Sequence, residues 1–358
     1  MPNNKTYIIA EAGVNHNGNL TMAKKLIDVA SAAGASAVKF QTFRAEKIVV
    51  AGATKAAYQK KNTPAKQSQL EMLKKLELDE HAHRILLAHC RLRKIQFLST
   101  AFDLASLDLL VHKLKLPLLK IASGEITNGP YLLAVAQTSK PVIMSTGMSN
   151  LQEIEEALAI LAFGYLGKME KPGSKNFQAA YRSLQGRRIL RKKVTLLHCT
   201  TQYPAPFAEV NLRAMETMKN KFNLPVGLSD HTEGIAAPIA AAALGAAVIE
   251  KHFTLNRNLP GPDHQASLEP AELAAMISGI RQVEKALGDG RKKIMPAERK
   301  NLTIARRSIV AARAIKCGDV FSGDNLTIKR PAIGMSPMKY WELIGKKAKK
   351  NYDRDDFV

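Results

Sequence analysis

Two histidines, His231 and His252, bracket the alanine-rich segment SDHTEGIAAPIAAAALGAAVIEKHFT, one near each end. Imidazole nitrogen is a common ligand for divalent cations, and two such ligands leave positions open for water or a substrate oxygen, the arrangement of a Lewis-acid centre. Elsewhere the chain places Lys39 and Lys120 together with the hydroxyls of Thr100, Ser123, Ser145, Thr201 and Tyr203 near the ends of short apolar runs. Lysines and hydroxyls in that company suit a phosphate or a carboxylate. Carboxylates recur at the same kind of position, in Glu11, Glu125, Asp230 and Glu250.

What must position these residues is a series of strands. The runs TYIIAEAG, AVKFQTF, IQFLSTAF, PLLKIASG, PVIMSTGM, VTLLHCTT, PVGLSD and VIEKHFT alternate with helical patterns such as LTMAKKLIDVASAAG, NLQEIEEALAILAF and AELAAMISGIRQVEKALG. Short β-branched or apolar runs separated by longer segments of period 3.6 imply parallel pairing. Eight such units predict a closed (β/α)8 TIM barrel, an α/β fold, in which functional groups gather where the strands end. A dinucleotide fold is disfavoured, because EAGVNHNG has the wrong glycine spacing.

The barrel gives the two histidines a common location. His231 ends the seventh strand, GIAAPIAAAALGAA forms the intervening helix, and His252 lies on the eighth strand. Adjacent parallel strands run about 4.8 Å apart, so both imidazoles can reach one ion. The strand ends also carry Asn15, His16, Gln41, Ser99, Thr146, His198, Thr200, Ser229 and Lys251. Plainer roles stand beside each reading. A strand lysine can face outward, serines can satisfy turn amides, Glu125 can cap the following helix, and the two histidines can sit in separate loops. Because strand side chains alternate, His198 and Cys199 cannot both face the mouth.

Composition bounds the rest. The formal charge is +22, from 53 basic and 31 acidic residues, and it is patchy: nine basic residues against one acid between Gly164 and Lys193, and seventeen against eight from Gly288 to Val358. No aromatic interleaving or reading motif accompanies it, so we expect a solvated surface that draws anionic small substrates, with no dedicated nucleic-acid partner. The three cysteines fit no disulfide framework, and the first apolar stretch has strand rather than signal-peptide character. We expect a cytoplasmic protein without a membrane span. After GDGRKKIMPAERKN the chain turns to short strands and turns. The expected organisation is a barrel over 1–288, a linker over 289–300 and a small domain over 301–358.

Taken in order, IIAEAGVNHNG, AVKFQTF, KIASGEITN, STGMS, LLHCTTQYPAPFAEVNL, GLSDHT and EKHFTLNRNLPGPDHQASLEP resemble the sialic acid synthase family. The tail SIVAARAIKCGDVFSGDNLTIKRPAIGMSP resembles that family's C-terminal antifreeze-like domain. The resemblance implies condensation of phosphoenolpyruvate with an N-acylated mannosamine-type sugar, N-acetylmannosamine first, which would give N-acetylneuraminate. The sibling activities are legionaminate or pseudaminate synthesis from a diacetamido-trideoxyhexose. A non-catalytic protein that binds through its basic tail is a remote alternative. The resemblance also implies Mn2+ or Mg2+ on His231 and His252. It gives catalytic roles to Glu11, Lys39 and Lys120, and substrate contacts to Thr100, Ser123, Glu125, Ser145, Tyr203 and Asp263. Arg330 would meet the sugar's acyl group across a domain-swapped homodimer. The basic stretch from Gly164 to Lys193 is longer than expected in shorter members, and the resemblance assigns it no role.

Overall fold

The computed structural model describes residues 5–63, 67–167 and 170–358, without the side chains of Ala57, Tyr58 and Lys61. The first four residues of the N-terminal stretch, and Lys168 of the basic stretch, lie outside the described residues. The chain divides into two compact units, Met1–Gly288 and Asp289–Val358.

The first unit is a closed barrel of eight parallel strands in sequence order. They are β1 (Tyr7–Gly13), β2 (Ala37–Thr42), β3 (Gln96–Ala101), β4 (Leu119–Ile121), β5 (Val142–Ser145), β6 (Val194–Cys199), β7 (Val226–Asp230) and β8 (Val248–His252). Closure comes from β1 against β8, with Glu11 opposite His252. The helices that return each strand follow the sequence signals. In the helix Leu20–Ala32 the Asn19 side chain caps the Met22 amide, and Ala23, Leu26, Ile27 and Ala30 bury one face at spacings of three and four. The helix Leu151–Leu166 starts with a capping box between Asn150 and Glu153.

Two apolar layers hold the barrel. The larger lies between sheet and helices and contains Ile8, Leu26, Phe40, Phe97, Leu158 and Ile280. The smaller fills the barrel interior with Ile9, Ala37, Leu98, Ile143, Leu197 and Val248. Strand side chains alternate, so the residues two positions further along these strands also point inward. At Gly227 the approach of β8 is so close that a Cβ would stand 2.1 Å from the Val248 carbonyl oxygen, so β7 can pair there only without a side chain.

The second unit has its own core. Its two strands, β9 (Ser308–Ala311) and β10 (Leu326–Lys329), pair antiparallel. Ile309, Ile315, Phe321, Leu326 and Leu343 pack together around them. Among the described residues, no helix is long and apolar enough to cross a membrane.

Candidate active site

The alternation that fills the barrel with apolar residues also builds its mouth. Two residues after each member of the inner apolar layer comes a group that can do chemistry. Ile9 leads to Glu11, Ala37 to Lys39, Leu98 to Thr100, Ile143 to Ser145, Leu197 to Cys199 and Val248 to Glu250. One further step along β8 brings His252, and Ser229 on β7 is followed in the same way by His231. These side chains open into one cavity of about 610 Å³, lined also by Lys120, Ser123, Thr201, Tyr203 and Asp263.

Its floor is a network of opposite charges. Lys39 Nζ lies 2.7 Å from Glu11 Oε2 and 3.5 Å from Glu250 Oε2, and donates to Thr100 Oγ1 at 3.0 Å. Lys120 Nζ donates to Ser145 Oγ at 2.6 Å and lies 3.5 Å from Glu250 Oε1, which in turn accepts from Ser229 Oγ at 2.9 Å. Burial works against the charge on Lys39, but Glu11 and Glu250 overcome it and raise its pKa. For Lys120 burial wins, and its pKa falls in spite of Glu250. Burial pushes the Glu11 carboxyl up to about 7 against the pull of Lys39. Glu250 is also penalised by burial, yet Lys120 and Lys39 hold it down at about 2. A carboxyl that titrates near neutrality beside a fixed ammonium can hold or pass a proton.

The histidine wall lies beside this floor. His231 and His252 have ring centroids 5.5 Å apart, and the Tyr203 ring stands 4.0 Å from that of His231. A carbonyl oxygen only accepts, so the 2.8 Å contact between His231 Nδ1 and Thr200 O fixes a proton on Nδ1 and leaves Nε2 as the nitrogen that can serve a ligand. Burial, followed by His231 and Lys39, drives the His252 pKa well below its ordinary value, and its Nδ1 is buried without a hydrogen-bond partner among the described residues. Burial works against a charge on His231, but Cys199 and the Thr200 carbonyl overcome it and raise its pKa, so a divalent cation between the two rings would have to displace a proton there, whereas His252 is already neutral. Among the described residues no set of three or more His, Cys, Asp or Glu side chains could hold a metal ion. The donors therefore suit a cation with open positions rather than a closed structural site. Asp263 stands at the rim, its carboxyl pushed up to about 6 by burial against the pull of His231.

Behind the wall a second ion pair sets the height of the histidines. Asp230 and Lys251 point away from the mouth, wholly buried, with Nζ 2.5 Å from Oδ2, and Lys251 also donates to the Thr232 carbonyl. The Asp230 carboxylate further accepts from the Thr232 amide and hydroxyl. The pair ties β7 to β8 one residue before each histidine. Lys251→Met leaves a buried carboxylate uncompensated and is expected to cost about 3–5 kcal/mol in chemical denaturation. Lys251→Met combined with Asp230→Asn should cost clearly less than the sum of the two single changes. Additive costs would show that the two side chains do not act as a pair.

Most residues singled out in the sequence meet in this cavity: Glu11, Lys39, Thr100, Lys120, Ser123, Ser145, Thr201, Tyr203, His231, His252 and Asp263. Two do not. Glu125 stays outside the lining and accepts from Asn128 Nδ2 at 2.7 Å, and Asn128 caps the helix Gly129–Gln137, so this carboxylate steadies a helix start. Arg330 is exposed on the second unit. The alternation also settles the pairs of neighbours. Cys199 lines the cavity, while His198 contacts the Val210 carbonyl oxygen at 2.6 Å through Nε2. Ser99 turns outward to Thr42 at 2.6 Å, and Thr146 donates to the Leu197 carbonyl at 2.9 Å. Glu250 and Ser229 are central to the floor; their place two residues after an inner strand position was the available signal, and the sequence reading left them in the background.

The apolar side of the cavity comes from a segment that sequence reasoning did not connect with the site. Met72, Leu73 and Leu76, midway along the β2-to-β3 connection, line it together with Val14 and Phe102. Val14, Phe43, Met72 and Leu76 form a buried cluster of their own, with Phe102 packed against it.

Comparison with known proteins agrees with this geometry. The NeuB family model matches residues 26–292, and the SAF domain model matches residues 306–357. The N,N'-diacetyllegionaminic acid synthase of Campylobacter jejuni is 54% identical over 99% of both chains. That of Legionella pneumophila is 44% identical over 96% of this chain and 91% of its own. A crystal structure of an N-acetylneuraminic acid synthetase from Leptospira borgpetersenii matches with a TM-score of 0.66 at 32% identity, over 84% of this chain and 90% of that one. The human N-acetylneuraminate-9-phosphate synthase is 33% identical over 98% of this chain and 91% of its own. These identities overturn the expectation of N-acetylmannosamine as the sugar and N-acetylneuraminate as the product, because the legionaminic acid enzymes are nearer by ten points or more. The motifs that suggested N-acetylmannosamine belong to the floor and the histidine wall, which carry no information about the sugar's substituents. With its barrel, its charged mouth and its C-terminal SAF domain, the chain belongs to the NeuB family, whose members here are synthases of sialic and legionaminic acids.

Proposed function

We propose that the chain condenses phosphoenolpyruvate with 2,4-diacetamido-2,4,6-trideoxymannose to give N,N'-diacetyllegionaminic acid and phosphate. The observation that carries the choice of sugar is the 54% and 44% identity to two N,N'-diacetyllegionaminic acid synthases, and the two-sided cavity suits it, with Lys39, Lys120, Glu11 and Glu250 on the floor and Val14, Met72, Leu76 and Phe102 on the wall. This sugar differs from N-acetylmannosamine by a methyl group at C6 and an acetamido group at C4. Methyl groups gain by leaving water against such a wall, whereas a hydroxyl placed there loses its hydrogen bonds.

Lys39 and Lys120, with Thr100, Ser123 and Ser145, bind the phosphate and carboxylate of phosphoenolpyruvate and orient its C3 toward the sugar's aldehyde carbon. C3 forms the new bond to that carbon, the aldehyde oxygen gains a proton, and C2 takes up water and releases phosphate. Glu11 serves as the proton carrier beside Lys39, and Asp263 holds sugar hydroxyls at the rim. His231 and His252 would hold a divalent cation, Mn2+ or Mg2+, which supplies Lewis acidity toward the aldehyde oxygen. Arg330, exposed on the second unit, belongs to the same proposal as a contact to an acyl group in a domain-swapped homodimer. The free cysteines Cys90, Cys199 and Cys317 accord with a cytoplasmic enzyme.

The test is phosphate release with phosphoenolpyruvate and a panel of sugars. We expect kcat/KM for the diacetamido-trideoxymannose to exceed that for N-acetylmannosamine by at least about a hundredfold, near 3 kcal/mol. It should also exceed that for the altrose isomer, the pseudaminate precursor. In the same assay Arg330→Ala should raise the sugar's KM and leave that of phosphoenolpyruvate in place. A preference for N-acetylmannosamine or for the altrose isomer would overturn the choice of sugar.

A further inference from the structure

The basic stretch without a role folds into two helices, Ser174–Arg182 and Leu184–Lys193. They are pressed together at Gly186, where a Cβ would stand 1.9 Å from the Ala180 carbonyl oxygen. The second helix runs straight into β6, so the pair ends at the N-terminal rim of the barrel, opposite the mouth where the reaction is placed. Between these helices and the helix Ala214–Phe222 lies a cavity of about 320 Å³, lined by Tyr181, Arg182, Arg187, Arg191 and Lys221. Among the described residues no carboxylate lines it, and Glu155 meets it only through Lys221.

This arrangement is costly for the chain alone. Arg187 and Arg191 stand four apart on one helix, where like charges destabilise, and Arg182 brings a third guanidinium from the neighbouring helix. The position of Arg191 in the last turn is explained by the helix dipole, but that of Arg187, in the first turn, is not. Lys221 has a partner in Glu155, with Nζ 3.3 Å from Oε2. Among the described residues the three guanidiniums have neither a hydrogen-bond nor an ion-pair partner. Lys193 of the same stretch, by contrast, is used structurally, donating to the Ser139 carbonyl and lying over the Tyr165 ring.

We propose that this notch binds a small anion carrying two phosphate groups, of the organic diphosphate class. Three planar forks that are always charged suit paired phosphates, each able to accept bidentate hydrogen bonds. The volume is at the lower end of ligand pockets, which fits a compact ligand rather than a polymer. The Tyr181 ring offers a flat surface beside the guanidiniums. The site stands apart from the condensation, and its existence does not depend on the identity of the sugar.

The test is calorimetric titration of the full-length protein with inorganic pyrophosphate at about 150 mM salt, with orthophosphate as control. The variant Arg182→Gln/Arg187→Gln/Arg191→Gln, all exposed positions, should bind pyrophosphate at least tenfold more weakly and keep condensation within twofold. Arg187→Gln alone should weaken binding about threefold, which keeps the test decisive if the triple variant folds poorly. Equal pyrophosphate affinity in wild type and variants would overturn the proposal. So would wild-type binding no tighter than that of orthophosphate, which would mark a merely solvated basic face. Tighter binding of a single-stranded oligonucleotide, lost in the same variants, would overturn it in favour of a polymer.

Discussion

Replacing Lys120 by methionine is expected to lower kcat/KM for phosphoenolpyruvate by about a thousandfold, while the protein stays folded. The ammonium is buried, with Nζ bonded to Ser145 Oγ at 2.6 Å and to the Ile121 carbonyl at 3.2 Å. It faces Glu250 at 3.5 Å, and Glu250 also faces Lys39 at 3.5 Å. Removing it strips the floor of one of two cations that the proposal assigns to an anionic substrate, and leaves the Glu250 charge less compensated where phosphate or carboxylate would bind. Loss of a buried charge-assisted contact costs about 3–5 kcal/mol, and about 4 kcal/mol is a thousandfold in rate. Methionine keeps most of the stem's volume, and Glu250 keeps Lys39 and the Ser229 hydroxyl, so stability should fall by less than activity. Steady-state kinetics for both substrates check this. A change in kcat/KM smaller than threefold would remove Lys120 from the site, and a matching rise in the sugar's KM alone would move it to the other substrate.

The reasoning behind Lys120 was available in the sequence because of one regularity. In a parallel barrel the inward residues come every second position, so an apolar residue at one height predicts the facing of the polar one after it. Glu11, Lys39, Thr100, Ser145 and Glu250 each stand two residues beyond a member of the inner apolar layer. The same rule separates Cys199 from His198 and Ser229 from Asp230. What the rule cannot supply is anything whose partners are far away in sequence and off the strands. The wall made by Met72 and Leu76 belongs to a connection that carries none of the motifs, and packing against Val14 and Phe43 brings it to the mouth. Glu125 is the converse case. Its place after a strand end suggested the site, yet Asn128 three residues on claims its carboxylate for a helix start.

The choice of sugar was illegible for a related reason. Motifs such as KIASGEITN and GLSDHT build the charged floor and the histidine wall, to which the proposal assigns the carbon atoms being joined. Discrimination at C4 and C6 rests on a few contacts further from those atoms, and each is worth only a few kcal/mol. The apolar wall that the proposal assigns to this discrimination is assembled from three separate segments of chain around Val14, Met72 and Phe102.

Chelation of divalent cations is expected to abolish condensation, by more than about a thousandfold, with added Mn2+ or Mg2+ restoring it. His231→Ala and His252→Ala should each do the same without rescue by the cation. Folding should be nearly indifferent to chelation, because the two strands that carry the histidines hold together by other means. β7 pairs with β8 through Leu228, Ser229 and Asp230, β8 pairs with β1 along five residues, and Asp230 and Lys251 form their ion pair behind the wall. Circular dichroism should therefore be unchanged, and the melting temperature should fall only by the small amount that loss of the bound cation removes, while phosphate release stops. A second readout keeps the histidines distinct from general damage: wild type should bind Mn2+ by titration in the absence of substrates, and the His231→Ala/His252→Ala variant should not. The cause lies in how the two rings are prepared. His231 is oriented by its Nδ1–H bond to Thr200 O, which turns Nε2 to the ligand side, and burial keeps His252 neutral, while the raised pKa of His231 makes cation binding weaken as pH falls. Full activity in chelated protein, or unaltered Mn2+ binding in the double variant, would sink the two-histidine centre. The floor of lysines and carboxylates would then have to polarise the aldehyde unaided.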